Sequence, residues 1–177
     1  MRIAVSGAHR TGKSTLLAEL ADALPGHVTV DEPYYLLEED GYETSEDPSL
    51  EDFQAQLERS LEVFEEGRRD VLFDRSPADI LAYLTTHEDG DDFDAEEWLD
   101  RVRDAMETLD LVVFVPIEER DRIAVSADEG RRSRRRVHEK LEELLVENLA
   151  WDVDVLRVEG DLASRVAQVR ARLAQRR

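Results

Sequence analysis

Residues 7–14 read Gly7-Ala8-His9-Arg10-Thr11-Gly12-Lys13-Ser14, a complete match to the phosphate-binding loop pattern G-x-x-x-x-G-K-[ST]. The flanks agree with it. Arg2-Ile3-Ala4-Val5-Ser6 is a short apolar run suited to a buried parallel strand, and Ser14 to Leu24 repeats apolar residues at helical spacing. A glycine-rich loop between a strand and a helix can wrap a polyphosphate with its backbone N–H groups, at the partly positive end of the helix. In that pattern Lys13 reaches the β- and γ-phosphates and the Ser14 hydroxyl serves Mg²⁺. The expected nucleotide-binding set is Gly7, Ala8, His9, Arg10, Thr11, Gly12, Lys13, Ser14 and Thr15, with ATP and Mg²⁺ as the ligands. At His9 and Arg10 the backbone matters more than the side chain.

Strand and helix patterns alternate along the rest of the chain. Leu24-Pro25-Gly26 stops the first helix, and Val28-Thr29-Val30 is a short strand that delivers Asp31-Glu32-Pro33. Carboxylates at the C-terminal end of a strand lie on the ligand side of such a sheet. Glu38 to Pro48 reads as an acidic loop. Ser49 and Asp52 form a capping-box pair, and Phe53, Leu57, Leu61 and Phe64 make one apolar helical face that ends at Gly67. Val71-Leu72-Phe73 is a third strand leading to Asp74-Arg75-Ser76-Pro77, where Ser76 suits an N-cap and Pro77 the first helical position. After an acidic tip at His87 to Asp94, a helix carries Leu99, Val102 and Met106, and Leu111 to Val115 is a buried strand stopped by Pro116. A basic run, Arg131 to Arg136, precedes a helix marked by Val137, Leu141, Leu144 and Leu145; Val153 to Val158 and a helix through Leu162, Val166, Val169 and Leu173 close the pattern. This order predicts an α/β fold: a three-layer αβα sandwich with a doubly wound, five-stranded parallel sheet, the P-loop NTPase fold.

The 177 residues fit one domain over 1–177. No cysteine is present, which excludes a disulfide framework and a thiolate metal site. The opening apolar run is too short for a signal peptide or a membrane span, so a cytoplasmic protein with no membrane partner is expected, as monomer or homodimer. With 43 acidic against 23 basic residues the net charge is −20, which repels a long nucleic acid over most of the surface. The basic residues are arginines except for Lys13 and Lys140, a bias consistent with either a salt-adapted proteome or codon usage.

A phosphate-binding loop alone does not separate kinases, motors and switches, and Asp74 narrows the choice. It follows an apolar strand, where the acid that helps hold Mg²⁺ is expected. Its successor is Arg75, where hydrolytic motors commonly place a glutamate to activate water. Guanine-specific switches carry an [NT]-K-x-D segment, and neither Lys13 nor Lys140 stands in one.

The stretch Asp74-Arg75-Ser76-Pro77-Ala78-Asp79-Ile80-Leu81-Ala82-Tyr83 resembles the D-R-x-x-x-S-x-x-A-Y stretch of thymidylate kinases, and Glu32-Pro33 is similar to the E-P of deoxynucleoside kinases. The layout as a whole resembles the small AAA-domain proteins that include bacterial nicotinamide riboside kinase domains. Asp79 stands where thymidylate kinases have serine and Leu84 where they have glutamine, which argues against thymidylate as substrate. By this resemblance Glu32 takes the proton from an acceptor hydroxyl and Arg75 holds the acceptor or its phosphate; Asp31 is the alternative base. The implied catalytic set is Lys13, Glu32, Asp74, Arg75, Arg131 and Arg135, with Ser14 and Asp74 at the metal.

Three readings of Arg131 to Arg136 compete: a closing lid over 128–136, a nucleic-acid patch, and a solvated helix start. The net charge disfavours the second, and positive charge at a helix N-terminus opposes the macrodipole, which disfavours the third. Tyr34 and Tyr35 suit either stacking on an acceptor or local packing, and Gly160-Asp161 with Arg165 suits either an adenine-side turn or a plain strand-to-helix turn. The expected activity is transfer of the γ-phosphoryl group of ATP to a small-molecule acceptor. The alternatives are a non-catalytic ATP-binding regulator and a slow stand-alone ATPase.

Overall fold

A computed structural model describes residues 1–45, 48–118, 128–147 and 151–176, with side chains from 130 onward in the third stretch. Five parallel strands, β1 (Arg2–Ser6), β2 (Val28–Val30), β3 (Val71–Asp74), β4 (Leu111–Phe114) and β5 (Val155–Arg157), lie in the order β2-β3-β1-β4-β5. The registers set Val5 beside Asp74 on one side and Val113 on the other, so the loop after β1 leaves from the middle of the sheet. In open α/β sheets that is where ligands bind, beyond the C-terminal strand ends at the point where the strand order reverses.

The strands are apolar on both faces, and their period of two sorts the side chains into separate cores. Ala4, Phe73, Val112 and Phe114 face α3 (Leu50–Glu65), α4 (Pro77–Thr86), α5 (Glu96–Glu107) and α6 (Asp128–Glu142), through Leu57, Ile80, Met106 and Val137 among others. Ile3, Val5, Leu72 and Val113 face α1 (Lys13–Ala23) and α7 (Leu162–Ala174), through Leu16, Leu20 and Val169. This is the three-layer, doubly wound sandwich that the sequence predicts. Among the described residues no helix is long and apolar enough to cross a membrane.

Local chemistry fixes the helix starts. Ser49 and Asp52 exchange hydrogen bonds in a full capping box at α3, and Asp161 accepts from the Ser164 N–H at 2.8 Å to start α7. At α4, Asp79 accepts from both the N–H and the hydroxyl of Ser76, each at 2.9 Å, with Pro77 in the first turn.

Two expectations change. The acidic loop expected from Glu38 to Pro48 starts later, because Glu38 and Glu39 close a helix, α2 (Pro33–Glu39), with Pro33 in its first turn. The basic run is not an open segment: α6 already begins at Asp128, so Arg131 and Arg135 stand on its first turns. The stripe of Val137, Leu141 and Leu145 extends backward through Arg134, whose side chain is 4% exposed. Tertiary contact by Arg134 offsets the unfavourable positive charge at this helix N-terminus.

Candidate active site

Glycine is required twice in the loop between β1 and α1. Gly7 has φ +152°, and a Cβ there would lie 2.4 Å from the Val115 carbonyl oxygen. Gly12 has φ +88° and is the N-cap of α1, whose first turn has no side-chain cap. The uncapped N–H groups of that turn therefore retain their capacity to meet an anion. Arg10 also adopts left-handed backbone at φ 57°, with its side chain exposed. Ala8 and Thr11 are buried, and the Thr11 hydroxyl donates to the Ala8 carbonyl at 3.0 Å. Ser14 and Thr15 open to solvent at the start of α1.

Lys13 is 4% exposed and its Nζ donates to the Ala8 carbonyl at 3.1 Å, in the curl of the loop where a polyphosphate would lie. Burial, then the nearby Arg75 charge, lowers its pKa to about 8. His9 gives its N–H to the Tyr83 hydroxyl at 3.0 Å, and its ring Nδ1 lies 3.2 Å from the same oxygen. Burial and the cations Arg75, Arg134 and Lys13 lower the His9 pKa to about 4, so the imidazole is neutral at physiological pH.

The end of β3 supplies the second half of the site. Ser14 Oγ donates to Asp74 Oδ2 at 2.8 Å, while Asp74 Oδ1 is buried with no hydrogen-bond partner. Burial, then the charge of Glu32, raises the Asp74 pKa. An orphaned carboxylate oxygen beside a serine hydroxyl is an all-oxygen donor pair suited to Mg²⁺, which takes one or two protein oxygens and completes its shell with water and phosphate. Among the described residues no cluster of three or more histidine or acidic side chains could hold a metal by itself. Ser14 and Asp74 together fit an ion that takes its remaining ligands from outside the protein.

Arg75 adopts left-handed backbone, φ 81°, a conformation that costs a non-glycine residue about 1–3 kcal/mol. Its guanidinium is fixed on several sides. Nε donates to Glu32 Oε2 at 2.6 Å, Nη1 donates to the Gly7 carbonyl at 3.3 Å and lies 3.7 Å from Asp79 Oδ1, and the group sits over the Tyr83 ring at 5.2 Å. Burial opposes the arginine charge, but Tyr83, Glu32 and Asp79 more than offset it and raise the pKa. Burial likewise raises the pKa of Glu32, and Arg75 outweighs it, so Glu32 is held as the carboxylate.

Beside this pair, Asp31, Leu36, Ser60, Phe64, Phe73, Asp74 and Arg75 line a narrow cleft between α2, α3 and the strand ends. The structure thus brings Lys13, Ser14, Glu32, Asp74 and Arg75 together. Asp31 reaches the cleft wall, with its side chain otherwise exposed. Arg131 and Arg135 are exposed on α6, whereas Arg134 of the same run reaches the loop, donating to the carbonyls of His9 at 2.8 Å and Arg10 at 3.0 Å. Tyr34 and Tyr35 pack edge to face on each other, at 5.2 Å between centroids.

Asp79 and Arg134 are the residues that sequence reasoning undervalued. Asp79 Oδ1 accepts the Gly7 N–H at 2.8 Å, so the position that departs from the thymidylate kinase pattern is occupied in holding the loop. The signal for Arg134 is its place three residues before Val137 and seven before Leu141, on the inward stripe of α6.

The protein-family model for the AAA domain matches residues 2–165. No curated protein matches the sequence. Deoxyadenosine kinase from M. mycoides, solved with the products dCMP and a flexible dCDP, has TM-score 0.69 at 16% identity, with 100% of each chain covered. Thymidylate kinase from Candida albicans has TM-score 0.66 at 15% identity, covering 98% of this chain and 91% of that one. Shikimate kinase from Aquifex aeolicus has TM-score 0.58 at 16% identity, covering 99% and 98%. With a complete phosphate-binding loop on a β2-β3-β1-β4-β5 sheet, and a family match that spans most of its length, the chain belongs to the AAA-domain family and has the fold of P-loop nucleotide kinases.

Proposed function

We propose that this protein is an ATP- and Mg²⁺-dependent kinase that transfers the γ-phosphoryl group of ATP to a small nucleoside, nucleotide or related metabolite. The observation that carries this reading is that Asp74 belongs to two places at once. It meets Ser14 at the phosphate loop and forms part of the wall of the cleft under α2 and α3. A switch or a stand-alone ATPase needs only the first place; direct transfer between two substrates needs both, side by side.

In this reading the loop from Gly7 to Thr15 binds the triphosphate, Lys13 leaves the Ala8 carbonyl for the β- and γ-phosphates, and Ser14 and Asp74 hold the metal. When bound, Mg²⁺ supplies positive charge against the phosphate oxygens. The acceptor binds beside Arg75 by opening the cleft, which in this conformation has room for little more than a water. Its oxygen forms a bond to the γ-phosphorus as the bond to the bridging oxygen of ADP breaks, and a hydroxyl proton passes to Glu32 or to Asp31. Glu32 is ionised and can accept a proton, although its pairing with Arg75 makes it a weak base. Arg131 and Arg135, carried on the first turns of the helix over 128–136 that Arg134 fixes beside the loop, supply guanidinium groups to the transferring phosphoryl within the single domain 1–177. The charge balance and the absence of cysteine suit a cytoplasmic enzyme, monomeric or homodimeric.

The test is ADP formation from ATP and Mg²⁺ with and without a panel of nucleosides, nucleotides and small metabolic alcohols. Stimulation by one acceptor class supports the kinase. Turnover indifferent to every acceptor supports an ATPase, and tight ATP binding without turnover supports a regulator.

A further inference from the structure

The carbonyls of the phosphate loop are held by cations drawn from four parts of the chain. Arg75, after β3, donates to the Gly7 carbonyl at 3.3 Å, and Lys13 of α1 donates to that of Ala8 at 3.1 Å. Arg134 of α6 bridges two successive carbonyls, with Nε 2.8 Å from His9 O and Nη2 3.0 Å from Arg10 O. Arg165 of α7 donates through Nη1 to Thr11 O at 2.9 Å, while its Nη2 donates to Glu118 Oε1, also at 2.9 Å. Both of these arginines are buried, at 4% and 8% exposure. The turn closes with the Leu16 N–H donating to Gly12 O at 3.1 Å. Every carbonyl from Gly7 to Gly12 is therefore occupied.

Peptide planarity gives this arrangement its consequence. The C=O of one residue and the N–H of the next lie in one rigid plane and point in opposite directions. Arg134, by fixing the carbonyls of His9 and Arg10, fixes the N–H groups of Arg10 and Thr11. Arg165, by fixing the carbonyl of Thr11, fixes the N–H of Gly12. Those are donors that a phosphate loop presents to its ligand. The backbone needs such restraint, because Arg10 and Gly12 sit at positive φ, 57° and 88°, and a non-glycine residue leaves that region unless its surroundings hold it.

We propose that Arg134 and Arg165 are positioning residues that set the phosphate loop in its anion-binding shape before a nucleotide arrives. The benefit to ligand binding rests on the reading of this loop as a nucleotide site; the preset shape is a property of the ligand-free protein. Neither residue needs to touch the ligand. Arg134 also ties α6, and with it Arg131 and Arg135, to the loop that those residues would serve.

The experiment compares wild type with Arg134→Ala, Arg134→Lys, Arg165→Ala and, as a control on the exposed face of α5, Arg103→Ala. Amide hydrogen exchange is followed in the ligand-free proteins, and binding of inorganic tripolyphosphate with Mg²⁺ is measured by calorimetry. In Arg134→Ala and Arg165→Ala, exchange at residues 10–12 accelerates while the amides of β1 and β4 keep their wild-type rates. Tripolyphosphate affinity falls about tenfold or more, the scale expected for losing a hydrogen bond to a charged group. Arg134→Lys, with one donor group in place of a planar fork, is intermediate, and Arg103→Ala matches wild type. Unchanged exchange at residues 10–12, or acceleration spread evenly over the whole fold, overturns the proposal. If Arg134→Ala does not fold, Arg134→Lys and Arg165→Ala give the same comparison. Wild-type protein that binds neither tripolyphosphate nor ATP contradicts the nucleotide reading, and the exchange rates of the ligand-free loop still decide the inference.

Discussion

Ser14 and Asp74, sixty residues apart in sequence, meet at 2.8 Å, and the second carboxylate oxygen of Asp74 is buried without a partner. A buried acceptor in that condition costs free energy in the ligand-free protein, and a cation or an ordered water relieves the cost. Asp74→Asn keeps the shape and removes the charge. The variant should need more Mg²⁺ to reach half-maximal ATP turnover and lose most of that turnover, because a neutral amide stabilises the ion less. A Mg²⁺ titration superimposable on wild type would remove Asp74 from the metal site.

Glu32 and Asp31 compete for the same role from adjacent positions. General-base assistance is worth roughly 10²–10⁴-fold in rate, so Glu32→Gln should lower kcat with the best acceptor by about that factor and leave ATP binding close to wild type. Asp31→Asn, altering a carboxylate that shares the cleft wall but not the Arg75 pair, should cost far less. The reverse ranking would assign the base to Asp31.

Asp79 is fully buried and accepts hydrogen bonds from the N–H groups of Gly7 and Ser76 and from the Ser76 hydroxyl. Asp79→Ala orphans two backbone donors and removes half of a helix cap. Stability should fall by roughly 2–4 kcal/mol in denaturant unfolding at pH 7. A loss below about 0.5 kcal/mol, the usual range for an exposed site, would show that solvent replaces these bonds readily.

His9 gives the pH dependence a definite sign. Its folded pKa, lowered by burial and by neighbouring cations to about 4, lies below the ordinary value of 6.5. Between those values the unfolded chain binds more protons than the folded one, so the His9 contribution to stability is full above pH 6.5 and is lost as pH falls toward 4. An NMR titration of the imidazole should show a midpoint well below 6. A midpoint at or above 6.5 would mean that the ring is neither desolvated nor crowded by positive charge.

Much of this architecture was legible in the residues themselves. The loop from Gly7 to Ser14, the strands at Arg2–Ser6 and Val28–Val30, and the caps at Ser49, Ser76 and Asp161 follow from local chemistry that a short window contains. The five parallel strands follow from alternation of strand and helix, whereas their order, β2-β3-β1-β4-β5, is set by packing between distant segments. Helix α2 escaped notice because Glu32-Pro33 reads first as a carboxylate motif, although proline in a first helical turn is itself a start signal. The start of α6 was hidden for a different reason. Its first turns carry a dense positive charge that local rules disfavour, and the burial of Arg134 against the loop, 125 residues away along the chain, is a contact that no short window contains. Likewise the contacts of Arg75 with Glu32, Asp79 and Tyr83 depend on three separate elements. Sequence spacing nominates such residues but cannot report which partners they meet.

The central claim is direct transfer of a phosphoryl group between two adjoining sites. It is tested most directly by following the label of γ-³²P-ATP through the acceptor panel, with Lys13→Ala as the parallel sample. The expected result is label appearing on an organic acceptor in step with ADP formation by the wild type, and neither by a folded Lys13→Ala protein. Label recovered only as inorganic phosphate at a rate indifferent to every acceptor, or equal transfer by Lys13→Ala, would contradict it.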